Sequence, residues 1–218
     1  MNTKTLDKVL TILQKEVITY NVPIVTLVAE RTRDPFRVLI STMLSLRTKD
    51  EVTTVASRRL FGKAVTPQEM LRLPSEQIQK LIYPVGFYKT KADNILKVCR
   101  ILVDEYEGNV PDDLDRLLKF PGVGRKTANL VVTLGFGKPG ICVDTHVHRI
   151  PNRLGWISTD APEQTERSLE EILPERFWIE INRVLVRFGQ LVCTPVSPRC
   201  SICPLSGLCP RIGVGRSR

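Results

Sequence analysis

Apolar residues recur along most of this chain at spacings of three and four, the period of an α-helix. Leu6, Val9, Leu10, Leu13 and Val17 form one stripe; Phe36, Leu39, Ile40, Met43 and Leu44 form a second. Ala92, Ile95, Leu96, Cys99 and Leu102 form a third. Breakers punctuate these runs: Pro23, Asp34-Pro35, Thr66-Pro67, Leu73-Pro74-Ser75, Pro84, Gly108 with Pro111, and Pro121 through Gly124. Asp34-Pro35 and the L-P-S triplet at 73–75 read as helix starts, with proline in a first turn or serine as a cap. Two-residue alternation is scarce, confined to the scraps Val131-Val132 and Ile141-Cys142-Val143. The pattern predicts an all-α protein, without an internal repeat and without a low-complexity tract.

Length and charge narrow the class. At 218 residues the chain can form one large domain or two small lobes around a real core. Its 32 Lys+Arg against 23 Asp+Glu leave a formal charge of +9. That excess suits either a solubilising surface or a polyanion-binding face, and composition does not choose between them. No stretch approaches the roughly 18 apolar residues of a membrane span. The N-terminal segment carries Asp7 and Glu16 and lacks a small-residue cleavage site, so it reads as a first helix, not a signal peptide. A cytoplasmic, reducing location is expected, where cysteines bind metal more often than they pair.

Four of the six cysteines fall close together. Cys193, Cys200, Cys203 and Cys209 have the spacing C-x6-C-x2-C-x5-C. Four thiolates in so short a segment can close around one metal centre. Tetrathiolate zinc is one reading, but zinc ribbons present two short knuckles and this loop has a single x2 pair. Chain wrapping outward from that pair favours a 4Fe–4S cubane held at four corners. A loop so poor in apolar residues needs its metal to fold. Cys99 and Cys142 sit in apolar settings and read as core.

The stretch FPGVGRKTANLVV interrupts an apolar run with Pro121-Gly122-Val123-Gly124 and resumes at once with Arg125-Lys126. PDDLDRLLKF before it supplies a short helix, capped by Asp112 or Asp113, and RKTANLVVTLGF after it a second, ending at Gly135 and Gly137. Helix, glycine turn and helix form a small unit. Its glycines admit backbone conformations closed to other residues, and the amides opening the second helix can meet a phosphate. A hairpin that merely packs is the plainer reading; the basic pair favours the phosphate. Beside Arg125 and near the positive end of a helix dipole, the Lys126 ammonium is disfavoured, which suits a nucleophilic amine. Asp144, opening DTHVHR, reads as an N-cap. A helix over 126–136 climbs about 15 Å and residues 137–144 can span roughly 26 Å back, so a carboxylate beside the amine is permitted.

LKFPGVGRKTANLVV, then VDTHVHRIPNR, then C-x6-C-x2-C-x5-C, together resemble the endonuclease III family of helix-hairpin-helix DNA glycosylases with a C-terminal 4Fe–4S loop. DPFRVLISTMLS and VGFYKTKADNI extend the resemblance nearly from end to end. The family implies a bifunctional glycosylase/lyase of base excision repair, acting on double-stranded DNA that carries damaged bases or abasic sites. An oxidised pyrimidine would be flipped from the duplex, because its glycosidic carbon is inaccessible in the stack. Lys126 would attack C1′ and form a Schiff base, with Asp144 assisting, before β-elimination nicks the strand. Relatives that only release bases carry other residues at the lysine position.

Two departures bear on the gap left by a flipped nucleotide. Where the family has S-x-Q-T-x-D, this chain reads S-L-R-T-K-D, with Arg47 for the glutamine. A longer cation could fill the gap and favour an orphaned guanine through its acceptor face; a phosphate-binding arginine is the simpler account. Phe87, in V-G-F-Y, stands where an aliphatic wedge is usual and could stack on the opened step, or could simply pack. Asp50 is a pocket residue or a cap, and His146 a candidate substrate contact.

The resemblance implies two helical lobes with a DNA-binding groove between them. One spans 28–138, with the hairpin at about 113–136; the other combines 1–27 with 139–218 and the cluster loop 193–209. DNA contacts are expected from Gly122, Val123, Gly124, Arg125, Arg47, Phe87, Lys49, Lys89, Lys91, Arg149 and the basic cluster loop. A monomer is expected. A monofunctional mismatch or uracil glycosylase is the first alternative, against which Lys126 speaks. A non-catalytic DNA-binding or redox-sensing iron–sulfur protein is the second, and it has no need of Lys126 with Asp144.

Overall fold

The structure, a computed structural model, describes residues 3–17 and 24–218. The described residues form α1 (Thr3–Val17), α2 (Ile24–Thr32), α3 (Pro35–Ser45), α4 (Asp50–Phe61), α5 (Pro67–Met70), α6 (Ser75–Ile82), α7 (Tyr88–Tyr106), α8 (Leu114–Leu117), α9 (Arg125–Leu130), α10 (Thr145–Arg153), α11 (Pro162–Ile172) and α12 (Trp178–Leu191). There is no strand among them, as the three-and-four spacing requires. Pro23, which the pattern marks as a breaker, lies outside the described residues.

Local chemistry sets the boundaries. Asp34 caps α3, accepting from the Phe36 amide at 2.9 Å, and Pro35 occupies the first turn, where its missing N–H costs nothing. Thr66 and Pro67 repeat the device at α5. At α6 the cap is Pro74, without a side-chain bond; Ser75 lies inside the first turn and donates to Asp93 Oδ1 at 2.7 Å. The scrap Val131-Val132 continues α9 as a π-helical turn, Val131–Gly135, and Ile141-Cys142-Val143 is buried irregular chain. At that wider turn Gly135 packs on the start of α3, where a Cβ would come within 3.2 Å of Pro35 Cα.

The chain divides into two compact units, residues 23–138 and residues 1–22 with 139–218. The first unit winds α2 to α9 around a core that includes Leu39, Ile40, Leu44, Leu60, Ile78, Ile95 and Leu102, each fully buried. Ile24 and Val25 belong to this core, so all of α2 falls in this unit, where the sequence pattern begins the lobe at 28. The second unit packs Leu6, Val9, Leu10 and Leu13 of α1 with Val147 and Ile150 of α10, Leu169 of α11 and Leu185 and Phe188 of α12. Gln14 Nε2 to Glu180 Oε2, at 2.7 Å, pins α1 to α12. No helix among the described residues is long and apolar enough to cross a membrane.

Candidate nucleic-acid interface and cysteine loop

The interruption at 121–124 is the turn between α8 and α9. Asp113 caps α8, accepting from the Arg116 amide at 2.8 Å, while Asp112 pairs with Lys138 at 2.7 Å and ties the two ends of the hairpin unit together. Gly122 has φ +78, a left-handed conformation that selects glycine, and a Cβ there would meet Asn94 Nδ2 at 2.7 Å. Gly124 differs. It is extended and exposed, and a Cβ there would meet nothing within 4 Å. Among the described residues no contact calls for glycine at 124, and its absent side chain leaves the backbone open. Val123 turns the other way. Its side chain is in the core and its amide donates to Phe120 O at 3.1 Å. Of the hairpin residues expected to meet DNA, Val123 thus has both its amide and its side chain engaged within its own unit. No side chain caps α9. Arg125 is half-buried and Lys126, at the second position of α9, is exposed.

A cavity of about 350 Å³ opens in the same unit, lined by Met43, Leu46, Arg47, Phe87, Thr90, Lys91, Asn94 and Gly122. Arg47 and Phe87 both have positive φ, 52° and 57°, an uncommon state for residues of this bulk. The Arg47 guanidinium lies 5.6 Å from the Phe87 ring centroid, a cation–π pair, and Phe87 is 63% exposed. The two segments meet backbone to backbone: a Cβ on Gly86 would come within 2.8 Å of Arg47 O, and the Gly86 amide donates to Thr48 Oγ1 at 3.2 Å.

Lys91 is the surprise of this region. Expected on the DNA-binding surface, it is 8% exposed, and its Nζ donates to Leu44 O at 2.8 Å, Leu46 O at 2.6 Å and Thr48 Oγ1 at 3.4 Å. Burial pushes its pKa down to about 8. It faces inward because it sits one turn into α7 on the stripe shared with Ala92 and Ile95, a position its charge conceals from a sequence pattern. Lys49 and Lys89 are exposed. Asp50 is half-buried in the first turn of α4, whose cap position is Lys49.

In the other unit Asp144 caps α10. Its Oδ1 accepts from the His146 amide at 2.8 Å and the Val147 amide at 3.0 Å, which fixes the carboxylate at the helix start. His146 Nδ1 lies 3.0 Å from Arg149 Nη2. The same Arg149 nitrogen donates to Cys193 O at 2.8 Å, and burial lowers the pKa of this guanidinium. Arg149, half-buried, therefore ties α10 to the cysteine loop. His148 Nδ1 faces Thr165 Oγ1 at 2.6 Å, again internal.

Cys193, Cys200, Cys203 and Cys209 together line one apolar cavity beside Ile150, Leu154, Phe188 and Leu205. Burial raises the thiol pKa of Cys203 and of Cys209, and the neighbouring cysteines add to it in each case, so the four sulfurs share one field. Donors point at them: the Arg211 amide lies 3.4 Å from Cys209 Sγ and Arg153 Nη1 lies 3.4 Å from Cys193 Sγ. Among the described residues no three His, Cys, Asp or Glu side chains stand close enough to hold a single metal ion. Four thiols spread around a cavity, with N–H groups offsetting thiolate charge, fit the corners of a polynuclear cluster. Arg153, 9% exposed, also donates to Thr194 O and Pro195 O, both at 2.7 Å. No residue pattern points to this anchor, because an arginine closing a helix ordinarily points to water. Cys99 and Cys142 are buried, and burial pushes the Cys99 thiol up to about 12, as expected of core cysteines.

The sequence signature of the HhH-GPD superfamily base excision DNA repair proteins matches residues 40–175, and that of the iron–sulfur binding domain of endonuclease III matches residues 193–209. Endonuclease III of Thermotoga maritima is 53% identical over 176 residues, covering 81% of this chain and 83% of the relative. Endonuclease III homolog 1, chloroplastic, of Arabidopsis thaliana is 45% identical over 188 residues; that match covers 82% of this chain and 50% of the longer plant protein. Among solved structures, a trapped endonuclease III–DNA covalent intermediate in an estranged-adenine complex superposes with a TM-score of 0.85 at 37% identity, covering 97% of each chain. An all-helical fold, a glycine hairpin leading into Arg125-Lys126, and four cysteines ringed for a 4Fe–4S cluster agree with these matches: the chain belongs to the endonuclease III family.

Proposed function

We propose that this protein is a bifunctional DNA glycosylase and abasic-site lyase of base excision repair. One observation carries the reading: an exposed lysine, Lys126, opens the second helix of the hairpin in a chain whose solved relative is a covalent endonuclease III–DNA intermediate. Such an intermediate needs a nucleophilic side chain, and a lysine amine can supply both the attack and the later imine. The Lys126 amine attacks C1′ of a flipped nucleotide, the C1′–N bond breaks, and the base leaves with its electron pair. The ring opens, loss of a proton from the amine nitrogen leaves a protonated Schiff base, and removal of a C2′ proton expels the 3′ phosphate. Asp144, whose Oδ1 is anchored by two backbone amides, is the carboxylate assigned to activate the amine or to steady the cationic sugar.

The substrate is double-stranded DNA carrying oxidised pyrimidines or abasic sites. Phosphates are met by the open backbone at Gly122 and Gly124, by Arg125, and by the exposed Lys49 and Lys89. Arg47 and Phe87 fill the gap in the helix, the aromatic ring stacking on the opened step and the guanidinium donating to the orphaned base, guanine before adenine. Asp50 and His146 are assigned to the substrate pocket. When bound through Cys193, Cys200, Cys203 and Cys209, a 4Fe–4S cluster closes the loop 193–209 and supplies folding free energy that its few buried side chains do not.

The test is direct. Incubation with a duplex containing an abasic site, followed by borohydride, should yield a covalent protein–DNA adduct. Lys126→Ala should abolish it while leaving duplex binding within a few fold. An adduct that persists in Lys126→Ala assigns the nucleophile elsewhere.

A further inference from the structure

Lys91 calls for an account of its own, because burying an ammonium is costly and this one faces no carboxylate among its hydrogen-bond partners. Its three donors meet three acceptors, all on residues 44–48, although Lys91 itself belongs to α7. Leu44 O and Leu46 O lie at the C-terminal end of α3, where carbonyls lack helical partners and a positive charge is favoured. Thr48 Oγ1 also accepts from the Gly86 amide, so one hydroxyl joins both segments. Arg47 lies between the bonded residues 46 and 48, and Phe87 lies between Gly86 and α7. Both hold left-handed backbones, and both line the cavity into which Lys91 also reaches. Left-handed conformations of bulky residues persist only where surrounding contacts over-determine them.

We propose that Lys91 is a positioning residue, which clamps residues 44–48 against Gly86 and so presets Arg47 and Phe87 for entry into the gap left by a flipped nucleotide. The inference rests on the gap-filling role assigned to that pair above. Presetting matters because a long arginine and an aromatic ring would otherwise lose rotamer and backbone freedom on binding. Lys91 acts from beneath without touching DNA, which replaces the phosphate contact its charge first suggests. A purely structural reading, in which the ammonium only caps α3, predicts the same loss whatever residues stand at 47 and 87.

A double-mutant cycle separates these. Affinity is measured for a duplex with a tetrahydrofuran abasic analogue opposite guanine or adenine. The proteins are the wild type, Lys91→Met, Arg47→Ala/Phe87→Ala and the triple variant, each checked by circular dichroism and thermal melting. Lys91→Met should weaken binding about tenfold in the wild-type background and less than about twofold where Arg47 and Phe87 are already gone. It should also flatten any guanine–adenine difference, while borohydride trapping on a single-stranded abasic oligonucleotide, which has no gap to fill, stays within about twofold. Equal losses in both backgrounds, or no loss in the wild type, overturn the proposal. Should Lys91→Met fail to fold, Thr48→Val, which removes the shared hydroxyl, carries the same background dependence at about threefold. A wild type that binds the analogue but never traps sinks the lyase reading and leaves this comparison standing. An Arg47→Ala/Phe87→Ala variant that binds like the wild type removes the gap-filling premise itself.

Discussion

Two regions of the molecule hold functional side chains by opposite means. Around Lys91 the segments 44–48 and 83–88 rest on a closed apolar core, with Leu44, Val85, Ala92 and Ile95 at 0–1% exposure. Polar staples from Lys91, Thr48 and the Arg59 guanidinium on Tyr83 O then fix the loops above it. The loop 193–209 has almost no such floor. Leu205 and Pro198 are its only buried residues, and Val196 and Ile202 are 83% and 67% exposed. Its regular structure is one turn, Cys200–Ile202. The first region carries its shape in packing; the second carries it in four sulfur atoms and in arginines reaching over from α10. A site can thus be rigid because of what lies beneath it or because of what binds to it, and the two respond to different insults.

Removing the cluster is the strongest way to expose the difference. Cys203→Ser, or iron removal by oxidation and chelation, should abolish absorbance near 400 nm and lower the melting temperature by more than about 10 °C, since metal-binding free energy in such loops is folding free energy. Limited proteolysis should then cut within 193–209 while 23–138 stays protected. Equal protection of both regions would contradict the contrast. Leu39→Ala attacks the other floor: urea denaturation should show a loss of about 2–5 kcal/mol with the visible band intact. Gly86→Ala is more local. Its new Cβ would stand 2.8 Å from Arg47 O, so the two segments must separate, at about 1–3 kcal/mol and with weaker gap filling. Asp144 offers a smaller effect that divides structure from chemistry. Asn can keep the α10 cap whereas Ala loses it, so Asp144→Ala should cost about 1 kcal/mol more than Asp144→Asn, while trapping falls in both.

How far the sequence exposed these features depends on the physics behind each. Helices declared themselves wherever an apolar stripe faced a core, as in Phe36 to Leu44, and helix starts wherever a cap and a proline coincided, as at Asp34-Pro35. The hairpin and the cysteine spacing were legible because both are local: Gly122 needs its left-handed φ within a single turn, and four thiols fall within 17 residues. What stayed hidden was direction. Val123, Lys91 and Arg149 all lie beside functional residues, yet each points inward to carbonyls or core. That orientation is decided by segments 40 or more residues away for Lys91 and Arg149. A charged residue looks the same in a sequence whether it meets water, a phosphate or a buried carbonyl. The π-helical turn at Val131–Gly135 was equally silent: its Gly135 packs on Pro35 of another helix, a neighbour that the local pattern does not show.

The finest probe of the contrast is pH, because the Lys91 staple titrates while the apolar floor beneath it does not. Burial takes the Lys91 pKa from 10.5 to about 8, and its partners, two carbonyls and a hydroxyl, do not titrate in this range. Below pH 8 the folded and unfolded chains both carry the proton, and the folded state bears the whole cost of the buried charge. Between 8 and 10.5 the unfolded chain keeps a proton that the folded one has released, so folding becomes more favourable as pH rises; above 10.5 nothing further changes. Methionine at 91 has no such dependence. Urea titrations at pH 7 and pH 9.5 should therefore move the stability difference between wild type and Lys91→Met in the wild type's favour. Positioning runs the other way. An ammonium has three protons for three acceptors and an amine has two, so one tie to residues 44–48 is lost as the charge goes. Wild-type affinity for the abasic analogue should fall about two- to threefold more than that of Lys91→Met over the same interval, the variant serving as the reference for every other titrating group. If stability and affinity rose together with pH, the ammonium would be a tolerated burden and not a clamp, and the first region would owe its shape to its apolar floor alone.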